Sequence, residues 1–173
     1  MTWRTFLADA TPDTMFDVAV HVAWADGRLC PSEVIAIKGL ATLFDLGMQD
    51  LGRALLARQG RPLEPRALAE LSPLERPLAY AVAAWVAGAD GRTTGREWEA
   101  LHELAMMLGL EGSLVLAIDA RLTTRRLGVL TVSDHARAID GVLASCLEEA
   151  LRSPAERTPP LASEARPALA KSA

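Results

Sequence analysis

One short stretch occurs twice in this chain, and the repeat limits what the chain can fold into. Ala25-Asp26-Gly27-Arg28 recurs as Ala89-Asp90-Gly91-Arg92, an offset of 64 residues. Five residues separate Gly27 from Glu33, and five separate Gly91 from Glu97. The register also holds outside the motif. Val18-Ala19 falls on Val82-Ala83, Val22-Ala23 on Val86-Ala87, Leu40-Ala41 on Leu104-Ala105, and Leu46 on Leu110. The pattern predicts a duplicated helix–turn–helix unit.

Each motif position has a physical reading. The run before Asp26 is helical in pattern, and Gly27 sits where a helix would end, since Gly enters the left-handed region without a Cβ penalty. The next helix is expected to start at Cys30 or Pro31 in the first copy and at Thr94 in the second. Pro31 suits a first helical position, where its missing N–H costs nothing. Thr94-Gly95-Arg96-Glu97 reads as a capping box, and Glu33 holds the same third position in copy one. Asp26 and Asp90 lie near those helix starts, where free amides and the dipole favour a carboxylate.

Half the residues are apolar and aromatics are few, which with plentiful Ala and Leu favours helix over strand. A chain of 173 residues allows one domain plus a tail. The net charge of −4 argues against an electrostatic nucleic-acid binder. The longest apolar stretch, 78–89, falls short of the roughly 20 residues of a membrane span. No signal peptide is evident. Cys30 and Cys146 form no CxxC pair, and a reducing, cytoplasmic setting fits them.

In chain order, residues 1–9 read as a short helical turn with Trp3, Phe6 and Leu7 on one side. Thr11-Pro12 opens a first helix carrying Met15, Val18, Ala19 and Val22. A second, 31–45, is expected to bury Val34, Ile37, Leu40, Ala41 and Phe44. A third, 49–59, carries Leu51, Leu55 and Leu56, and a short fourth covers 65–71. Ser72-Pro73-Leu74-Glu75 is another capping box, opening a long apolar helix with Tyr80, Val82, Trp85 and Val86. The next, 95–108, is expected to turn Trp98, Leu101, Leu104, Ala105 and Leu108 inward. Residues 111–123 follow, then a looser passage around Gly128. Ser133 is the expected cap of a last helix whose Ala136, Ile139, Leu143, Cys146, Leu147 and Ala150 share one face. This predicts an all-α bundle of seven to eight helices over residues 1–152, with repeat units at 12–60 and 73–125. The Pro- and Ala-rich tail, 153–173, is expected to be disordered.

The chemistry is sparse. Asp-Gly-x5-Glu equals the second half of an EF-hand loop, but Val22, Trp24, Val86 and Gly88 stand where the first oxygen ligands would be. His21 is placed to pair with Asp17 four residues before it. Glu99 and His102 have the Glu-x-x-His spacing of di-iron bundles, which need two such motifs, and only one is present. His135 falls in the first turn of the last helix. Arg121, Arg125 and Arg126 read as a solvated basic helix end. A carboxylate–metal hydrolase or oxidase would need convergent His and acidic ligands that the sequence does not supply.

Ala-Asp-Gly-Arg, a short gap and a Glu opening an apolar helix, repeated after one helical hairpin, resembles the TerB-like family. That family includes the tellurite-resistance TerB proteins and the middle domain of DjlA-type co-chaperones. The similarity covers roughly residues 12–150. It implies an all-helical bundle in which the two motifs meet, so that Asp26, Glu33, Asp90 and Glu97 share one surface. Four such carboxylates repel unless a cation or basic group sits among them. A divalent cation is one answer. The other is that each carboxylate caps its own helix, with Gly27 and Gly91 as turns and Arg28 and Arg92 as charge partners.

The resemblance implies a non-enzymatic module in metal, tellurite or envelope stress, working through a protein partner. Peripheral membrane association and a homodimer are compatible with it. A stand-alone co-chaperone-type regulatory domain is the alternative, although the chain has no His-Pro-Asp tripeptide with which to stimulate an Hsp70 itself.

Overall fold

The computed structural model describes residues 3–8, 11–47, 51–125 and 131–152. Among them are eight α-helices, a 3-10 turn at Trp3–Phe6, and no strand. The helices are α1 (Thr11–Ala23), α2 (Pro31–Leu43), α3 (Leu51–Arg58), α4 (Pro65–Glu70), α5 (Glu75–Ala87), α6 (Gly95–Met107), α7 (Gly112–Arg125) and α8 (Val132–Leu151). The expected all-α bundle is what forms. Shifting the bounds of α1 and α2 by 64 residues gives those of α5 and α6. No described helix is long and apolar enough to cross a membrane.

α5 is the centre. All thirteen of its residues except Arg76 are buried, because alanines at 79, 81, 83, 84 and 87 let neighbouring helices approach on every side. Trp85 and Tyr80 are among the largest fully buried side chains. Each such aromatic contributes on the order of 1.5–3 kcal/mol by leaving water. The helix packs most extensively on its own counterpart, α1, and also on α8, α7, α2 and α6.

The duplicated units meet counterpart to counterpart. Thr11 and Glu75 are 64 residues apart, and the Thr11 hydroxyl donates to Glu75 Oε1 at 2.5 Å. Glu75 also accepts from the Ala8 N–H at 2.8 Å and, within the expected capping box, from the Ser72 N–H at 2.7 Å. Burial would raise this carboxyl, but those hydrogen bonds outweigh it and hold Glu75 below the usual range.

α8 lies on α2 at a very close crossing. A Cβ at Gly39 would stand 2.6 Å from His135 Cβ and 3.0 Å from the Val132 carbonyl oxygen. Only glycine fits there.

Several sequence expectations need correction. Trp98 is 53% exposed, not inward. The inward stripe of α6 is Glu97, Leu101, Leu104 and Ala105, which leaves position 98 a step round the helix. Leu56 is likewise 66% exposed, since Leu51 and Leu55 already fill the face that α3 turns to α1. Val34 and Phe44 are half-buried. Thr131, not Ser133, caps α8: its hydroxyl accepts the Asp134 N–H at 3.1 Å, and Asp134 Oδ2 accepts the Thr131 N–H at 3.2 Å. The tail, the passage around Gly128, Arg126, part of the turn expected at 1–9 and the first two residues of the helix expected at 49–59 lie outside the described residues.

Candidate functional site

The two Asp-Gly-Arg turns form the same structure twice. After α1, the Gly27 N–H donates to the Trp24 carbonyl at 2.9 Å, and Gly27 takes φ +83°. After α5, the Gly91 N–H donates to the Gly88 carbonyl at 3.0 Å, and Gly91 also takes φ +83°. A left-handed residue is costly for anything with a Cβ, so both turns need their glycine. Asp26 Oδ1 accepts the Arg28 N–H at 2.8 Å, and Asp90 Oδ1 accepts the Arg92 N–H at 2.8 Å. These aspartates therefore hold the turn itself and not the amides of the next helix.

Each turn delivers a capping box. In the second copy, Glu97 Oε2 accepts the Thr94 N–H at 2.6 Å, and the Thr94 hydroxyl accepts the Glu97 N–H at 3.3 Å. In the first copy, Glu33 Oε2 accepts the Cys30 N–H at 2.7 Å. There the return bond goes to a thiol, from the Glu33 N–H to Cys30 Sγ at 3.5 Å. Sulfur is the weaker acceptor. Burial, ahead of the Glu33 carboxyl beside it, raises the Cys30 thiol above its ordinary value.

The two boxes meet. One cavity of about 230 Å³ is lined by Asp26, Cys30 and Glu33 from the first turn and by Asp90, Thr94 and Glu97 from the second. Glu33 is 5% exposed and Glu97 3%. Burial, then the hydrogen bond with Glu97, pushes Glu33 up to about 8, while the hydrogen bonds from Cys30 pull it down. At neutral pH Glu33 therefore keeps its proton beside Glu97.

That proton relieves the repulsion for which a cation or the arginines were expected. Arg28 and Arg92 line the same cavity, but both are exposed, and among the described residues neither forms an ion pair with any of the four carboxylates. It is their backbone N–H groups that are used. All four predicted acidic residues are brought to one place. Among the described residues, however, no three His, Cys, Asp or Glu side chains form a group that could hold a metal ion. The oxygen donors suit a hard divalent cation in kind, while the arrangement as it stands does not fit one.

The histidines lie elsewhere. His102 is exposed on α6. His21 does not pair with Asp17, which Arg58 takes; its Nδ1 stands 3.0 Å from the Arg61 carbonyl oxygen. His135 is 3% exposed, and its Nδ1 accepts the Trp85 indole N–H at 3.1 Å. Burial holds it below the ordinary imidazole value. Sequence reasoning missed this bond, although His135 shares the helical spacing of Ile139, Val142, Leu143 and Cys146. Arg121 is not a solvated helix end either. It is paired with the buried Glu149 and donates to the Ser145 carbonyl at 3.1 Å.

No family model, curated protein or solved structure matches this chain.

Proposed function

We propose that the chain is a non-enzymatic, TerB-like binding module that acts through a protein partner in metal, tellurite or envelope stress. The acidic cavity between the paired turns is its recognition site, and a cationic side chain of the partner is what it takes. The observation that carries this reading is the convergence of two turn-and-cap units on one cavity, with Glu33 and Glu97 buried at its base and Asp26 and Asp90 at its sides. A basic group entering there meets fixed carboxylates whose hydrogen bonds to the backbone already set their positions.

A divalent cation is the second reading, favoured by the four acidic side chains that share the lining with Arg28 and Arg92. It would require these side chains to rearrange, since among the described residues no three of them form a metal-holding group.

The test is affinity capture with the full chain and with an Asp26→Asn/Asp90→Asn double variant. Asn keeps the turn oxygen and removes the charge. The proposal expects a partner retained by the parent chain and lost by a double variant of equal stability. An unchanged set of partners would refute it. Calorimetric titration of Ca²⁺, Mg²⁺, Mn²⁺ and Zn²⁺ into chelator-stripped protein decides the second reading: saturable binding lost in the double variant would establish the cation.

A further inference from the structure

A second cavity, of about 210 Å³, lies beside α1 where the 61–64 segment crosses from α3 to α4. It has room for roughly seven waters at ~30 Å³ each, below the usual size of a drug pocket. The duplication makes its lining informative. Thr14, Asp17, His21 and Arg58 line it. Their counterparts at the 64-residue offset are Leu78, Ala81, Trp85 and Leu122, all at most 1% exposed. What one unit fills with packed apolar side chains, the other keeps open and polar.

The polar groups are partly committed to each other. Arg58 is paired with Asp17, donates to the Ala54 carbonyl at 3.3 Å, and lies over the Phe16 ring at 5.2 Å. Those two charges cancel. In the neutral His21 ring, Nδ1 carries the hydrogen because the Arg61 carbonyl oxygen can only accept, so Nε2 is left as an acceptor. Arg61 and Glu64 line the cavity from the connecting segment, and among the described residues neither makes an ion pair. The half-buried Leu63 and Ala67 supply an apolar wall. One uncommitted cation, one uncommitted anion, one ring acceptor and an apolar wall thus surround a space of small-molecule size.

We infer that this cavity binds a small zwitterion with an apolar body, the chemistry of a free aliphatic amino acid. Its carboxylate would meet Arg61, its ammonium Glu64 and His21 Nε2, and its side chain Leu63 and Ala67. The site is separate from the acidic cavity, so either assignment can fail without the other.

L-leucine is the probe, titrated into the full chain by calorimetry and followed by amide NMR. Isocaproate lacks the ammonium, isopentylamine the carboxylate, and glycine the apolar body. Saturable binding of leucine is expected, with each comparator weaker by about ten-fold or more, and with Arg61→Gln and Glu64→Gln each weakening leucine by about ten-fold. Both substitutions fall on exposed residues of a connecting segment, and far-UV circular dichroism checks that the fold is kept. No saturation by ~10 mM leucine, isocaproate or isopentylamine binding as tightly as leucine, or leucine binding unmoved by both substitutions would overturn the assignment.

Discussion

Glu33 and Glu97 occupy the same position in the two repeat units, and their carboxyls face one another at the base of a single acidic cavity. Thr11 and Glu75, another counterpart pair, bond to each other directly. Contacts of this kind arise when two copies of one unit pack around a local two-fold axis, where each residue near the axis meets its own image. A motif repeated in sequence thereby becomes one site in space.

The proton on Glu33 makes stability fall on the alkaline side. Glu33 has an ordinary value of 4.5 and is pushed to about 8 in the folded protein. Between those values the folded state holds a proton that the unfolded chain has lost. The contribution is complete below about 4.5 and disappears as pH rises through about 8, at up to ~1.4 kcal/mol per pH unit. Urea unfolding from pH 5.5 to 8.5 should show that decline, and Glu33→Gln, which keeps a permanent donor toward Glu97, should flatten it.

Two other groups set the acid side. His135 is held below the ordinary imidazole value by burial, and Glu75 below the ordinary carboxylate value by its hydrogen bonds against burial. Both contribute stability above their unfolded values, and both lose it as pH falls through the folded ones. Trp85→Phe leaves His135 Nδ1 buried without a donor and should cost about 1–3 kcal/mol in urea unfolding at neutral pH.

Glycine substitutions should split in sign. A Cβ at Gly39 would stand 2.6 Å from His135 Cβ and 3.0 Å from backbone atoms of α8, so Gly39→Ala forces the helices apart. A loss of about 1–3 kcal/mol or more is expected. A Cβ at Gly52, inside α3, would meet nothing within 4 Å, and Gly52→Ala should raise stability by about 0.5–1 kcal/mol. Thermal melts of the two variants check the contrast.

The caps differ by one atom type. Cys30→Thr gives the first unit the cap of the second, replacing a 3.5 Å bond to sulfur with one to a hydroxyl. It should stabilise by up to ~1 kcal/mol in denaturant unfolding. The same substitution should leave the Glu33–Glu97 pair in place, because Glu33 still accepts from the backbone N–H of residue 30 and Thr keeps a side-chain donor there.

Much of this fold is legible in the sequence. Periodicity and caps locate the helices, and the offset from Asp26 to Asp90 predicts the duplicated bundle. The capping boxes at Glu33, Glu75 and Glu97 follow from residue type and spacing alone, because they are local. Non-local relationships are not legible. Arg28 and Arg92 read as charge partners because they adjoin the carboxylates in sequence, yet only their backbones reach them. Trp98 reads as core because it is large and apolar, yet Glu97 takes the inward position beside it. His21 is offset correctly from Asp17 for a helical pair, but Arg58 arrives from another helix and takes the carboxylate. Each miss is a competition that only tertiary packing decides.

The most direct test of the central relationship is a carboxyl ¹³C NMR titration of Glu33 and Glu97 in the full chain. The account predicts that Glu33 keeps its proton to about pH 8, and that Glu97→Ala lowers it only in part, since burial is the larger cause. Titration of Glu33 near 4.5 in the parent chain, unmoved by Glu97→Ala, would contradict it, and would separate the two turns into unrelated helix caps.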